Sequence, residues 1–200
     1  MSPALVKYLF SAEDYIEVQS FDCGSKPYQL EVSDWLKAPA DQDGALAAIG
    51  SDPPAKVWLY RQNNYASNSE QPGEIVGFGA ISQSKWRWTE KKDPYIPVTV
   101  ILWLAVQTKF KRQPDGDPDG YYSSQIVDGL IAESLETQND RPVLGLCVRP
   151  DNTAAIDLYR RKAFKVELSP WLDRDTGVSY SRLARILNPT RLLEMTKGVK

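Results

Sequence analysis

The absence of histidine restricts which residues of this chain could carry catalysis. None of the 200 residues is His, so histidine-dependent nucleophilic triads and most zinc sites are excluded, and we expect no bound metal. Catalysis would therefore depend on carboxylates, tyrosine, backbone groups or ordered water. Glu74, Glu90 and Asp93 are candidates for a general base, and the sequence does not choose among them.

The two cysteines, Cys23 and Cys147, could form at most one disulfide bond. Isolated cysteines in a cytosolic setting are usually reduced, so we expect both to be free residues of the core.

A second group of residues could recognise nucleic acid. In the segment Lys85-Trp86-Arg87-Trp88 basic and aromatic residues alternate, which suits stacking on bases beside phosphate contacts. A hairpin whose alternate residues pack inward explains the same pattern equally well. A second part of such a basic patch would comprise Lys109, Lys111 and Arg112. The net charge of −2 and the pI near 5.3 provide no general attraction for nucleic acid.

The elements that must position these residues follow from hydrophobic periodicity. Apolar, β-branched runs predict strands, and apolar residues at spacings of three and four predict helices. The strands are expected at 57–60, 75–81, 98–106, 143–148, 164–168 and 178–183, and the clear helices at 123–135 and 152–163. We also expect a short helix capped by Ser33-Asp34, a helix or loop over 40–54 and a loop over 85–94. The longest apolar run, over 98–106, is too short to span a bilayer.

Three segments within this order carry a family resemblance. The segment from Leu144 to Phe164 contains Asn152, Ala155 and Leu158-Tyr159, and it resembles a strand followed by an Asn-x-x-Ala-x-x-Leu-Tyr helix and a closing Gly-Phe. Ala163 stands where that Gly is usual. Leu104-Ala105-Val106 and the run over 75–81 are similar to the two preceding strands.

Over residues 57–168 the chain therefore resembles the GNAT superfamily of N-acyltransferases. The resemblance implies an α/β fold with a mixed, mostly antiparallel central sheet flanked by helices. Phe21-Asp22-Cys23-Gly24 with Asp34-Trp35-Leu36, and the run over 94–98, look like the toxin-type branch that modifies aminoacyl-tRNA. We expect one domain over 1–187 and a basic C-terminal tail over 188–200.

The resemblance also implies the site residues. Tyr159 would be the general acid that protonates the departing thiolate, and Asn152 would either cap its helix or contact the pantetheine arm. The loop that binds the pyrophosphate would lie between 109 and 124, with two alternative registers. In one, Ser123 takes the final small position, which puts Tyr121 and Pro118 where Gly and Gln or Arg are usual; in the other, Arg112 and Gly116 begin a longer loop. The implied cofactor-binding residues are Leu104, Ala105, Val106, Arg112, Gly116, Gly120, Ser123, Ser124 and Asn152.

The implied activity is transfer of an acetyl group from acetyl-CoA to a primary amine of a small molecule, a peptide or aminoacyl-tRNA. tRNA is a candidate partner, homodimerisation is left open, and we expect a cytoplasmic protein with no membrane partner. The alternative is a GNAT-fold relative without catalysis that binds acyl-CoA or another protein.

Overall fold

One mixed sheet forms the centre of the fold. The computed structural model describes residues 5–63, 73–88, 95–111 and 121–197. In this described part, seven strands follow the order β1-β2-β3-β4-β5-β7-β6. Their bounds are β1 Leu5–Leu9, β2 Lys56–Gln62, β3 Ile75–Arg87, β4 Tyr95–Val106, β5 Val143–Val148, β6 Val166–Leu172 and β7 Ser179–Ile186. The pairs β1–β2, β2–β3, β5–β7 and β6–β7 are antiparallel and β4–β5 is parallel, which confirms the predicted sheet type.

Along the sequence, the α-helices of the described residues lie between these strands, except the last one, which follows β7. They are α1 Tyr15–Val18, α2 Pro27–Lys37, α3 Ala45–Ile49, α4 Tyr122–Leu135, α5 Thr153–Arg161 and α6 Pro189–Lys197. Within the described ranges, none of them has the length and apolarity needed to cross a bilayer.

The chain divides into two compact units. The first contains the described residues of Met1–Ile81 and Trp103–Asp128. Its core is built on aromatic side chains: Phe78 contacts Phe21 edge to face at 5.4 Å and stacks on Trp35 at 6.0 Å between ring centroids. Arg61 is buried beside this core and forms an ion pair with Glu17, with a hydrogen bond of 2.7 Å from its Nη2. A buried arginine needs such a partner, because an unpaired buried charge is strongly destabilising.

The second unit contains the described residues of Ser82–Leu102 and Gly129–Lys200. Its core gathers side chains from β4, β5, β7 and α6, with the two tryptophans of the 85–88 segment packed against it; the buried members are Ile96, Val98, Val143, Ala184 and Leu192.

Three expected elements differ from the structure. β3 continues to Arg87, so the loop expected from residue 85 is wrong over 85–87, and the part of that prediction over 89–94 lies outside the described residues. α2 begins at Pro27 and not at Ser33, because proline suits the first helical position and Ser33 is buried inside the helix. In the segment expected as a basic tail, Asn188 accepts a hydrogen bond of 3.0 Å from the Arg191 N–H and caps α6.

Candidate functional site

α5 positions Tyr159, and its start explains part of that position. Asn152 takes the N-cap position, and its carbonyl accepts from the N–H groups of Ala155 and Ile156, each at 3.1 Å. The Asn152 side chain forms no cap hydrogen bond, so the capping role expected for that side chain is not present. Its amide is therefore left for another role.

The end of α5 is a Schellman motif that contains Tyr159. The Phe164 N–H donates to the Tyr159 carbonyl at 3.0 Å, and the Ala163 N–H donates to the Arg160 carbonyl at 3.1 Å. Ala163 has φ of 64°, the left-handed conformation that this motif requires and that glycine adopts more readily. The motif also brings Phe164 against the Tyr159 ring, with centroids 5.7 Å apart. Ala163 and Phe164 thus end the helix, and Phe164 packs against the Tyr159 ring.

The side chain of Tyr159 is almost fully buried, with 8% relative exposure. Burial raises the pKa of Tyr159 to about 12, because the phenolate would lose its hydration. Among the described residues its hydroxyl has no hydrogen-bond partner, and the hydroxyl oxygen is not fully enclosed. A buried tyrosine normally satisfies its hydroxyl. Tyr159 is therefore a protonated donor without a structural partner.

The start of α4, in the first unit, carries two buried hydroxyl groups. Ser124 Oγ and Tyr122 Oη are inaccessible to solvent and have no hydrogen-bond partner in the described ranges. The Tyr122 ring contacts Phe110 edge to face at 5.9 Å, which fixes its position. Ser123 is half-buried in the same turn. The sequence did not predict Tyr122 as a site residue. Nothing in the sequence around it indicates that its hydroxyl is unpaired.

The end of β4 is held by close backbone packing in the same unit. Ala105 and Val106 are buried and Leu104 is half-buried. A Cβ at Gly77 would lie 2.3 Å from the Ala105 carbonyl oxygen, so glycine is needed where β3 passes β4. The predicted residues Arg112, Gly116 and Gly120 lie outside the described residues.

The parallel ladder between β4 and β5 is short. It runs from the pair Val98–Val143 to the pair Ile101–Leu146, whereas β5 continues to Val148. On its other edge β5 pairs with β7 through Val148–Ser181. Cys147 and Val148 thus extend β5 beyond its last described pair with β4.

Trp86 lies on the face of the sheet next to this end of β5. A Cβ at Gly145 would lie 2.3 Å from Trp86 Cζ3, so the indole occupies the space that a side chain would fill. The Arg182 guanidinium carbon lies 4.5 Å from the Trp86 ring centroid on β3. Of the two readings of the 85–88 segment, the strand with inward-facing alternate residues is the one observed, since Trp86 and Trp88 pack against the core.

Of the other basic residues proposed as a nucleic-acid patch, Lys109 and Lys111 have partners within the first unit, and Arg112 lies outside the described residues. Lys109 pairs with Glu74, and Lys111 donates to the Cys23 carbonyl. Burial lowers the pKa of Lys111.

Cys23 and Cys147 are both free, as expected. Cys23 is buried and shares a contact with Ser33 at 3.2 Å. Cys147 is exposed, so the expectation that it is a core residue is wrong. It lies beside Arg182 of β7, where the apolar stripe of β5 ends.

Comparisons with known proteins identify the fold. No protein-family model matches the chain, and no curated protein matches its sequence. Solved structures do match. A bacterial toxin superposes with a TM-score of 0.64 at 16% identity, over 96% of this chain and 96% of that chain. The toxin AtaT complexed with acetyl-methionyl-tRNAfMet superposes with a TM-score of 0.58 at 16% identity, over 96% of this chain and 99% of that chain.

A mutant of AtaT bound to acetyl-CoA and the C-terminus of the antitoxin AtaR superposes with a TM-score of 0.59 at 15% identity, over 95% of this chain and 98% of that chain. Identities this low establish the architecture and leave the chemistry to the residues themselves. The chain has the GNAT-like fold of these toxin structures.

Proposed function

We propose that this chain is an N-acetyltransferase that transfers an acetyl group from acetyl-CoA to a primary amine. The observation that carries the proposal is Tyr159, a buried and protonated tyrosine that is held by the α5 cap and whose hydroxyl has no hydrogen-bond partner among the described residues. The structures of similar fold that contain acetyl-CoA and acetyl-methionyl-tRNAfMet support the same class of reaction.

The start of α4 fits the anionic part of acetyl-CoA. The first turn of an α-helix leaves backbone N–H groups without intrahelical partners and carries the positive end of the helix dipole. Ser124 Oγ and Tyr122 Oη are two enclosed hydroxyl groups of the same turn that have no partner among the described residues. We assign the pyrophosphate to this turn, with Ser123, Ser124 and the sequence-predicted Arg112, Gly116 and Gly120 as its binding residues.

The pantetheine arm carries amides that backbone groups can bind. We assign this role to the end of β4, at Leu104, Ala105 and Val106, and to the free side-chain amide of Asn152. When bound, acetyl-CoA supplies an acetyl thioester, whose carbonyl carbon is the electrophile.

The reaction requires few groups from the protein. A neutral amine attacks the thioester carbonyl, the C–N bond forms, and the C–S bond breaks to release a thiolate. Tyr159 donates its proton to that thiolate and regains one from solvent. The proton lost by the amine passes to water, because an α-amine with a pKa near roughly 8 is partly neutral at physiological pH.

The acceptor is a primary amine on a small molecule, a peptide or the aminoacyl end of tRNA. The AtaT complex with acetyl-methionyl-tRNAfMet supports the last of these. We further propose that residues 1–187 act as one domain in the cytoplasm.

Calorimetry with acetyl-CoA tests the proposal directly. A ligand that binds only the folded chain at about 100 times its Kd stabilises it by roughly 2.7 kcal/mol, so the melting temperature should also rise. Ser124→Ala should weaken the binding, whereas Ser51→Ala, at an exposed serine of the same unit, should not. If millimolar acetyl-CoA gives neither heat of binding nor a shift in melting temperature, the proposal is refuted. The alternative of a non-catalytic relative that binds acyl-CoA is then refuted as well.

A further inference from the structure

Within the described part of the chain, Arg182 of β7 is a guanidinium group without an anionic partner. It pairs across the ladder with Cys147 of β5 and stacks on the Trp86 indole. Its Nε and Nη2 atoms are buried and have no hydrogen-bond partner among the described residues. Burial lowers the pKa of the guanidinium, and the Cys147 thiol acts in the opposite direction. An arginine in a protein nevertheless keeps its charge.

Other arginines of the same unit are paired. Arg160 donates to Glu167 at 2.7 Å, Arg149 donates to Asp151 at 3.1 Å, and Arg185 donates to the Lys162 carbonyl at 2.8 Å. The stacking on Trp86 satisfies one face of the Arg182 guanidinium but none of its N–H groups. Leaving the buried donors of a charged group unpaired is energetically costly. We therefore expect a ligand to accept their hydrogen bonds.

The unpaired atoms are the two that recognise an oxyanion best. Nε and Nη2 lie on one edge of the planar guanidinium and present two parallel N–H groups. This edge matches the two oxygens of a carboxylate or phosphate, which can accept both bonds at once.

A pocket lies beside Arg182. Arg182 is one of the residues lining a pocket of about 230 Å³ bounded by α5, β6 and β7. The other charged residues of the pocket, Arg160 and Glu167, neutralise each other. The partner of Arg182 on β5, Cys147, follows the last described pair of β5 with β4.

We propose that Arg182 binds an oxyanion, a carboxylate or a phosphate, on the acyl acceptor. The inference rests on the proposed function and deepens it, since it makes the acceptor an amine that carries a nearby negative group. Trp86 and Gly145 are positioning residues for this contact, because the indole supports the guanidinium and the glycine admits the indole.

The test observes the Arg182 Nε–H group itself by NMR. The full chain is labelled with ¹⁵N and ¹³C, the arginine Nε–Hε signals are assigned by through-bond transfer, and acetate or inorganic phosphate is titrated against sodium chloride at matched ionic strength. We expect the Arg182 signal to shift and saturate with at least one oxyanion and not with chloride. A response to acetate alone identifies a carboxylate, and a response to phosphate alone identifies a phosphate group.

The control is the Arg160 signal, which should stay unchanged because its guanidinium already pairs with Glu167. Arg182→Lys keeps the charge but loses the two-donor edge, so it should weaken binding of the responding anion by about tenfold or more. An Arg182 signal that follows chloride, or never saturates, overturns the inference. Acetyl-CoA takes no part in this measurement, so failure of cofactor binding would leave its result intact.

Discussion

At the scale of single residues, the proposed chemistry depends on the Tyr159 hydroxyl. Tyr159 is buried like a core residue. Its hydroxyl, however, lacks the hydrogen bond that a tyrosine of the core normally makes with a neighbouring residue. A structural tyrosine of the same chain looks different: the buried Tyr60 donates to the Ile126 carbonyl at 3.5 Å. The contrast assigns the two side chains different roles and supplies the control for the first test.

Tyr159→Phe should lower kcat by about 10² to 10⁴, since general acid catalysis typically contributes that much. Acetyl-CoA affinity and stability at neutral pH should change little, because the ring remains and no hydrogen bond is lost. Steady-state kinetics with an accepted amine measure the effect.

Tyr60→Phe is the matched control, which removes a buried hydroxyl elsewhere and should leave kcat near the wild-type value. If Tyr159→Phe turns over the amine at the wild-type rate, the proton comes from water and Tyr159 is only a core residue.

The raised pKa of Tyr159 also predicts how stability depends on pH. Below pH 10 the hydroxyl is neutral in both the folded and the unfolded chain. Between pH 10 and about 12 the unfolded chain ionises first, so the free energy of unfolding falls as pH rises. Two pKa units correspond to a loss of about 2–3 kcal/mol.

Urea unfolding of wild type and Tyr159→Phe from pH 8 to 11.5 checks this expectation. The variant should lose less stability at alkaline pH than the wild type. Tyr95→Phe, at an exposed tyrosine, should follow the wild type. Parallel curves for wild type and Tyr159→Phe would contradict the prediction.

At the scale of elements, α5 ends at a residue that is conformationally strained. Ala163 adopts a φ of 64°, which costs a residue with a Cβ about 1–2 kcal/mol. Glycine avoids this strain but loses more backbone entropy on folding, by roughly 0.5–1 kcal/mol.

Ala163→Gly should therefore raise the free energy of unfolding by about 0.5–1 kcal/mol, measured by urea unfolding at pH 7. The same substitution at Ala155, inside α5, should lower it by a similar amount, because that residue is helical. Destabilisation by both substitutions would show that the left-handed cap is not formed in solution.

At the scale of the whole molecule, hydrophobic periodicity predicted where the strands of the sheet lie. It did not predict which groups surround each residue. The β5 strand was predicted over its full range because a short run of buried apolar residues is typical of a strand inside a sheet. The extension of β3 was missed because Lys85 and Arg87 suggest a solvated loop, and only the packing of Trp86 on Gly145 shows why the strand continues.

The site was predictable only where the helix pattern defined it. The family resemblance of this helix implied Tyr159 and Asn152. The structure has Tyr159 on α5 and Asn152 at its N-cap, and their roles stay predictions. Tyr122 and Arg182 could not be predicted, because an unpaired buried group is a property of contacts between distant segments. An arginine in an alternating strand such as β7 is normally taken to face solvent.

The Schellman cap of α5 has an evolutionary consequence. It holds residue 159 through its main-chain carbonyl and through the face of its ring, and neither contact uses the hydroxyl. A single nucleotide change converts a tyrosine codon to a phenylalanine codon and would leave both contacts in place. Descendants of this chain could therefore lose the proposed catalysis in one mutational step while keeping the fold and the proposed binding of acetyl-CoA.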